Sequence, residues 1–466
     1  MVFSSIPFIY YFLPLVLLFY FIVPKAIKNT VLLISSLIFY GWGEPKYVFL
    51  MLLTVSVSYI FGILTDKYRG KIIGKISFIL SIVINLSFLI YFKYADFFIE
   101  NVNRVTGLSI PLLNVILPIG ISFYTFQIMS YNIDLYRGKV KVQKNPFTLA
   151  TYLSLFPQLI AGPIVRYSDV ERELYKRTNT IDNIYLGIRR FIFGLSKKVL
   201  IANTLGELCT TFTTTNDKSL FFFWLYGISY MLQIYFDFSG YSDMAIGIGK
   251  ILGFKFPENF NYPFISKSIT EFWRRWHISL GSWFRDYVYI PLGGNRVSKR
   301  RWFINIGVVW FLTGFWHGAE WNFILWGLYF AILLTIEKLF LIKYLEKSKV
   351  LSHIYLLFTI LVSFVLFSGN SLSDSLYYIG GLFGKGINGL ISFESIYYLK
   401  SYGLIIFTGI ICSTPLPLII KRYSDNIKPV KIIFDYLEIP FLILLLTVIT
   451  GFLADGSFNP FLYFRF

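Results

Sequence analysis

Long runs of Ile, Leu, Phe and Val dominate the sequence, and many could cross a bilayer whose hydrocarbon core is about 30 Å thick. The 466-residue chain is 56% hydrophobic and 20% aromatic, whereas only 15% of its residues are charged. A soluble domain averages about 45–50% apolar and about 25% charged residues. The sequence therefore predicts an all-α, polytopic integral membrane protein with about 11–13 transmembrane helices.

Proline, glycine and charged residues separate the apolar runs and limit each predicted span. We expect spans at about Pro7–Val23, Val31–Trp42, Tyr47–Leu64, Ile72–Phe92, Leu112–Asn132, Ile184–Leu205, Leu220–Leu252, Trp302–Trp316, Trp321–Glu337, Ile354–Phe367, Ser401–Ile419 and Ile432–Phe452. The fifth is expected to bend near Pro118. The seventh is expected to break near Ser239 and Gly240, where polar residues interrupt it.

The apolar segment Thr151–Val165 is too short to cross as a regular helix, and Pro157 and the Gly162-Pro163 pair interrupt it. Broken backbone at membrane depth is tolerated where it is buried in protein or lines a cavity. We therefore expect a re-entrant segment here, with an ordinary interfacial helix as the alternative.

The formal net charge of +18 arises because Lys and Arg cluster in short loops between the apolar runs. These basic loops alternate along the chain, as the positive-inside rule requires of cytoplasmic loops. The rule places the N-terminus outside and the long loop Lys255–Arg301 inside the cell. It explains the charge without nucleic acid, for which no folded basic surface remains. The apolar start, without a basic lead or cleavage site, is read as a retained first span rather than a signal peptide.

The loop Lys255–Arg301 is too aromatic to be a simple linker. We expect amphipathic helices in or just under the headgroup layer, with four tryptophans at interfacial depth: Trp273, Trp276, Trp283 and Trp302. The largest basic cluster of the chain lies here: Arg274, Arg275, Arg285, Arg296, Lys299, Arg300 and Arg301. It suits anionic lipid headgroups or the phosphates of a soluble cofactor, while Arg285 and Asp286 can form a structural pair.

Two of the three histidines lie between Glu271 and Trp321, each beside tryptophan and close to a carboxylate. His317 ends an apolar span, and a neutral imidazole there suits a general base. Glu320 lies one helical turn further on if the helix continues, where it can orient the ring. The alternatives are a structural histidine for His317 and a snorkelling interfacial residue for His277. We expect His353 to be structural and no metal site to be present.

Several separated segments carry a resemblance to a known family: Phe123–Gln127, Phe156–Tyr167, Tyr235–Ala245, Phe272–Arg296, Gly314–Trp321 and Asn459–Phe461. They resemble motifs of the membrane-bound O-acyltransferase superfamily and occur in the family's order over most of the chain. The closest resemblance is to the bacterial membrane subunits that O-acetylate alginate or peptidoglycan.

The resemblance implies one membrane domain over 1–466, with helices and re-entrant and interfacial segments arranged around a central tunnel. Its parts would be N-terminal spans (1–145), a catalytic core (146–340) and C-terminal spans (341–466). His317 matches the family's invariant histidine, and His277 matches the second histidine of the pattern. We expect these residues to line the tunnel or touch substrate: Gln158, Gly162, Pro163, Tyr235, Asp237, Ser239, Trp276, Arg285, Asp286, Trp316, Glu320 and Trp321.

The resemblance further implies a bacterial inner membrane and acetyl-CoA as the cytoplasmic donor, with no permanently bound cofactor. The acetyl group would pass to a secreted or membrane-anchored SGNH-like transfer protein and from there to a polysaccharide. Two alternatives stay open at this point. The first is D-alanyl transfer to teichoic acids, whose membrane subunit shares the Arg-Trp-His and Trp-Phe-Arg-Asp elements. The second is a secondary transporter, although the chain shows no two-half symmetry.

Overall fold

A computed structural model describes residues 1–456 and Asn459. Pro460 and Phe461, which carry part of the family resemblance, lie outside the described residues. The described chain consists of α-helices joined by loops and short π- and 3₁₀-helical segments, and no strand occurs among these residues. The prediction of an all-α fold is confirmed.

The chain divides into two compact units. The first contains Met1–Phe191 and Met244–Pro257, and the second contains Ile192–Asp243 and the chain from Glu258 onward.

The first unit contains eight complete helices, and a ninth begins in it: α1 Leu13–Ile22, α2 Lys28–Gly41, α3 Tyr47–Lys67, α4 Ile72–Thr106, α5 Ile121–Tyr136, α6 Pro146–Ser154, α7 Phe156–Leu159, α8 Tyr167–Tyr175 and α9 Ile181–Ser196. A π-helical turn, Pro7–Phe12, precedes α1. Helices α3, α4 and α5 pack against one another. The whole segment Thr151–Val165 is buried, which fits the expected broken element because α6 and α7 are short and end at Ser154 and Leu159.

The later helices belong to the second unit, except for the last turns of α11: α10 Thr204–Thr214, α11 Leu220–Ile251, α12 Ile269–Trp273, α13 Ile278–Phe284, α14 Lys299–His317, α15 Trp321–Ile336, α16 Ile342–Leu345, α17 Lys349–Ser368, α18 Leu372–Leu382, α19 Phe393–Cys412, α20 Leu416–Asp425 and α21 Lys428–Ala454. No predicted span corresponds to helix α18. The aromatic core of this unit is formed mainly by α10, α11, α12, α15 and α17.

Six described helices are long and apolar enough to cross a bilayer: Tyr47–Lys67, Ile72–Thr106, Trp321–Leu345, Lys349–Ser368, Phe393–Cys412 and Lys428–Ala454. The protein is therefore a multi-pass membrane protein. The other predicted spans correspond to helices that are shorter, broken or more polar, and their number stays a prediction.

Two predicted span limits are wrong. Helix α4 continues beyond the predicted limit at Phe92, through Asp96, Glu100 and Arg104, to Thr106. Residues 107–120 form no helix, and α5 begins only at Ile121, after Gly120 in a left-handed conformation (φ 77°). The expected bend near Pro118 is thus the start of the helix.

Helix α11 does not break at Ser239 and Gly240, so this expectation is also wrong. Its two carboxylates have partners: Asp237 pairs with Lys198 at 2.6 Å, and Asp243 pairs with Lys197 at 2.6 Å. Both lysines belong to a π-helical segment, Lys197–Asn203, that follows α9. Gly240 is needed for close packing, because a Cβ there would lie 2.7 Å from the carbonyl oxygen of Gly194.

The interfacial depth expected for the four tryptophans stays a prediction, and the protein itself buries three of them. Trp276, Trp283 and Trp302 are buried within the protein, and Trp273 is partly buried. The helices of this loop, α12 and α13, have only 5 and 7 residues. The segment therefore packs into the second unit rather than exposing its indoles at a lipid surface.

Adding a methyl group at Gly240 should destabilise the protein. We expect Gly240→Ala to lower the free energy of unfolding by about 1–3 kcal/mol, because the added methyl group would overpack the contact with Gly194. Thermal unfolding in detergent measures the effect. Gly403→Ala in α19 is the matched control, since its Cβ would meet no atom within 4 Å. Equal stability of the two variants would contradict the packing argument.

The Lys198–Asp237 pair is almost fully buried, so removing one partner leaves an uncompensated charge. We expect Lys198→Met or Asp237→Leu alone to cost about 3–5 kcal/mol, and the double variant to recover most of that loss. The control is Asp66→Asn, which breaks the exposed Arg69–Asp66 pair and should cost about 0–1 kcal/mol. Additive losses in the double variant would show that the two charges do not compensate each other.

Candidate active site

The segment that leads to His277 is held by a buried carboxylate. Glu337 accepts hydrogen bonds from the backbone N–H of Ile269 (2.5 Å) and Thr270 (3.0 Å) and from the Thr270 hydroxyl (2.7 Å). Ser268 caps the same helix, α12, by accepting from the Glu271 N–H at 3.0 Å. Because the N–H groups of a first helical turn have no partner within the helix, these acceptors fix where α12 begins.

The rings of α12 then anchor the chain beside α11. Trp276 stacks on Phe272 at 5.5 Å between ring centroids and lies 6.1 Å from Tyr235 of α11. It also contacts Phe260 and Phe364. The polypeptide turns immediately after Trp276, where His277 adopts a left-handed backbone conformation (φ 45°) and becomes the N-cap of α13.

His277 is 1% exposed and lies in a hydrogen-bonded cluster. Its Nδ1 is 3.1 Å from Oδ1 of Asn259, and the same oxygen accepts from the backbone N–H (3.2 Å) and the hydroxyl (2.9 Å) of Ser279. The Asn259 amide nitrogen donates to the Ser242 hydroxyl of α11 at 3.1 Å. The ring of Phe238 covers His277 at 4.6 Å between centroids.

His317 is the last residue of α14 and is 6% exposed. Helices α14 and α15 approach closely through glycine: a Cβ at Gly314 would lie 2.3 Å from the Phe323 carbonyl oxygen, and one at Gly327 would lie 2.3 Å from that of Trp310. The His317 ring therefore lies against α15 and α17, with centroids 5.0 Å from Trp326 and 5.3 Å from Phe367.

The two histidines are 40 positions apart in sequence, but both contact the same indole. The Trp316 ring lies 6.0 Å from His277 and 4.9 Å from His317 between centroids. Burial lowers the pKa of His277 well below its ordinary value, and a positive charge on His317 lowers it further. His277 is therefore neutral at physiological pH, because both causes disfavour the imidazolium form.

Buried polar atoms without a hydrogen-bond partner occur in several parts of the described chain, and some lie on the elements that carry these rings. These include Oγ of Ser239, Nε2 of His277, Oδ1 of Asn322 and Nε1 of Trp326. More than about 90% of buried polar groups in proteins are paired, so such atoms need an explanation. Here they supply one proton acceptor, one indole donor and two further polar groups for a ligand.

The other predicted site residues are divided between the two units. In the second unit, Tyr235 and Trp276 lie in the wall beside His277, and Asp237 is held by Lys198. Arg285 and Asp286 form an ion pair at 2.7 Å, in which Arg285 is exposed and Asp286 is partly buried. Gln158, Gly162 and Pro163 belong to the first unit and are buried there, with Nε2 of Gln158 donating to the Tyr152 carbonyl.

The helical continuation that would place Glu320 one turn beyond His317 is absent. Helix α14 ends at His317 and Gly318 is extended, so Glu320 is not one helical turn from the ring. It is the exposed N-cap of α15, and the neighbouring Trp321 is 45% exposed.

His353 is structural, as predicted: its ring nitrogens lie 2.6 Å from the Lys349 carbonyl oxygen and 3.1 Å from that of Ile265. The described residues contain no group of three potential metal ligands among His, Cys, Asp and Glu. Four residues of the candidate site were not predicted from the sequence: Lys198, Asn259, Trp326 and Glu337. Only Glu337 carries a signal there, as a lone acidic residue at the end of an apolar run.

Comparison with known proteins agrees with a multi-pass membrane protein. The chain belongs to the membrane-bound O-acyltransferase family, MBOAT, whose sequence pattern matches residues 139–379. The protein is an O-acyltransferase, and the secondary-transporter alternative is rejected.

Similarity to individual relatives indicates which kind of O-acyltransferase this chain resembles. The chain is 36% identical over 499 aligned residues to the probable alginate O-acetylase AlgI of Azotobacter vinelandii, and the alignment covers 100% of both chains. It is 35% identical over 427 residues to the peptidoglycan O-acetyltransferase of Helicobacter pylori, covering 84% of this chain and 81% of the relative. Similarity to the teichoic acid D-alanyltransferase of Bacillus subtilis covers less, 49% of this chain and 61% of the relative at 35% identity.

Proposed function

We propose that this protein moves an acetyl group from cytoplasmic acetyl-CoA to an acceptor outside a bacterial inner membrane, for O-acetylation of a polysaccharide such as alginate or peptidoglycan. The observation that carries the proposal is the pair of buried histidines on one indole, within a multi-pass acyltransferase. The relatives named for O-acetylation match this chain over more of its length than the D-alanyltransferase does.

In this proposal His317 is the general base. A ring nitrogen takes the proton of the attacking hydroxyl, whose oxygen bonds to the thioester carbonyl carbon. The tetrahedral intermediate then breaks its C–S bond, and the same proton passes from His317 to the leaving thiolate. The proposed reaction thus yields an acetyl ester and the free thiol of CoA, and it needs no further reactant.

Trp326 is the proposed donor to the oxyanion of that intermediate. Its ring contacts His317, and its Nε1–H is buried and has no acceptor among the described residues. A donor aimed at the developing charge in a water-poor site stabilises the transition state strongly.

The orientation of the chain in the membrane is assigned from the positive-inside pattern, and the acceptor is assigned from the family. The N-terminus would lie outside, and the loop that carries His277 would lie on the cytoplasmic side, where basic residues attract the CoA phosphates. The acceptor would be a secreted or membrane-anchored SGNH-like protein that passes the acetyl group to the polymer. Gln158, Gly162, Pro163, Arg285, Asp286 and Trp321 stay predictions as tunnel or substrate residues.

Removing the base should abolish transfer without preventing insertion. We expect His317→Ala to release no labelled acetyl group from acetyl-CoA above background, because the hydroxyl proton then lacks its base. The assay uses purified full-length protein with the extracytoplasmic acceptor, and a second arm offers a D-alanyl donor. His353→Gln is the matched control and should keep activity. Wild-type transfer by His317→Ala, or transfer from the D-alanyl donor alone, would overturn the proposal.

Removing only the indole N–H at Trp326 tests the oxyanion donor. We expect Trp326→Phe to lower kcat about 100- to 1,000-fold, as loss of a single oxyanion donor does elsewhere, while thermal stability changes little. Trp224→Phe is the control, since its N–H already donates to the Leu382 carbonyl at 3.1 Å. An equal, small effect of both substitutions on kcat would remove Trp326 from the mechanism.

A further inference from the structure

The orientation of the Asn259 amide is fixed by its neighbours. The backbone N–H of Ser279 can only donate, and it lies 3.2 Å from the amide atom that faces His277. That atom must therefore be the oxygen, because an amide nitrogen would bring two donors together. The opposite amide nitrogen donates to the Ser242 hydroxyl, which agrees with the same orientation.

This orientation decides the tautomer of His277. Its Nδ1 lies 3.1 Å from the Asn259 oxygen, which has only lone pairs to offer, so Nδ1 carries the hydrogen. A neutral imidazole has one N–H, and its lone pair is then on Nε2. Nε2 is buried and has no hydrogen-bond partner among the described residues.

The surroundings of His277 favour this neutral state. The ring meets Phe238 of α11, Trp316 of α14 and Ser279 of α13, all of which are uncharged. The titratable group that acts on it is His317, whose positive charge would disfavour a proton on His277. A charge on either ring therefore opposes a charge on the other.

We propose that Asn259 is a positioning residue that holds His277 in the Nδ1–H tautomer, so that Nε2 serves acyl transfer as a hydrogen-bond acceptor and not as a donor. This inference rests on the proposed function for its role in catalysis, but not for the tautomer. It gives His277 a role distinct from that of Trp326, because His277 cannot donate to an oxyanion and Trp326 remains the donor. His277 is suited to accept a hydrogen bond from a donor group of the bound substrate other than the attacking hydroxyl, whose single proton goes to His317.

The tautomer can be measured directly, without activity. The full-length protein in detergent, labelled with ¹⁵N only in its three histidines, gives few enough imidazole signals to assign with His317→Gln and His353→Gln. We expect His277 at neutral pH to show a protonated Nδ1 and an unprotonated Nε2. A protonated Nε2, or an imidazolium, would overturn the inference even if acetyl transfer is confirmed.

Substitution of Asn259 tests its positioning role. We expect Asn259→Leu to convert His277 to a mixture of tautomers and to lower kcat about 10- to 100-fold, by analogy with residues that orient metal-ligating histidines, with little change in KM. The matched control is Asn305→Leu, because Asn305 is also a fully buried asparagine whose amide nitrogen donates to the Leu292 carbonyl. The control should leave the His277 tautomer unchanged, whatever its stability.

Asn259→Asp distinguishes positioning from packing. The carboxylate keeps an acceptor at Nδ1, so the tautomer should be retained and kcat should exceed that of Asn259→Leu. The negative charge raises the pKa of His277, so the imidazolium persists to higher pH and the acid limb of the kcat profile should move upward. If His277 keeps its tautomer in Asn259→Leu, or if the pH profile of kcat does not move in Asn259→Asp, the positioning role of Asn259 is contradicted.

Discussion

The cost of placing polar groups inside an apolar helical protein governs this structure. An unpaired buried charge or hydrogen-bonding group is expensive, so the described buried charges of the second unit have defined partners: Asp237 with Lys198, and Glu337 with the start of α12. Buried polar atoms without a hydrogen-bond partner still occur in both units, and Nε2 of His277 and Nε1 of Trp326 are among them. Burial without compensation is tolerated where a substrate supplies the missing partner, and under the proposed function the substrates would supply it for these two atoms.

The general character of the chain could be predicted from its sequence, because apolar length and loop charge are local properties. The two site histidines could also be found, since each lies in a distinctive aromatic motif. Asn259 could not, because it precedes His277 by 18 residues in an irregular segment and its role depends on one amide orientation. Glu337 is further away still, 68 residues beyond the N–H group of Ile269 that it binds.

Some local patterns were misleading because tertiary packing overrode them. Ser239 and Gly240 resemble a helix break, yet α11 is continuous because Lys197 and Lys198 neutralise its carboxylates and Gly240 admits the backbone of Gly194. The charged residues after position 92 resemble a loop but extend α4. In both places the sequence pattern is correct about polarity and wrong about conformation, because polarity alone does not reveal the partner.

Helix α11 contacts four different elements within six residues. Asp237 binds Lys198, Phe238 covers His277, Gly240 fits Gly194 and Ser242 receives Asn259. A slide of one residue, or a rotation of about 100°, would break all four contacts together. Helix α11 therefore fixes the position of the His277 imidazole. Under the proposed function, a movement that admits a bulky donor or releases the product would therefore occur in other helices, and His277 would stay in register with α11 through each turnover.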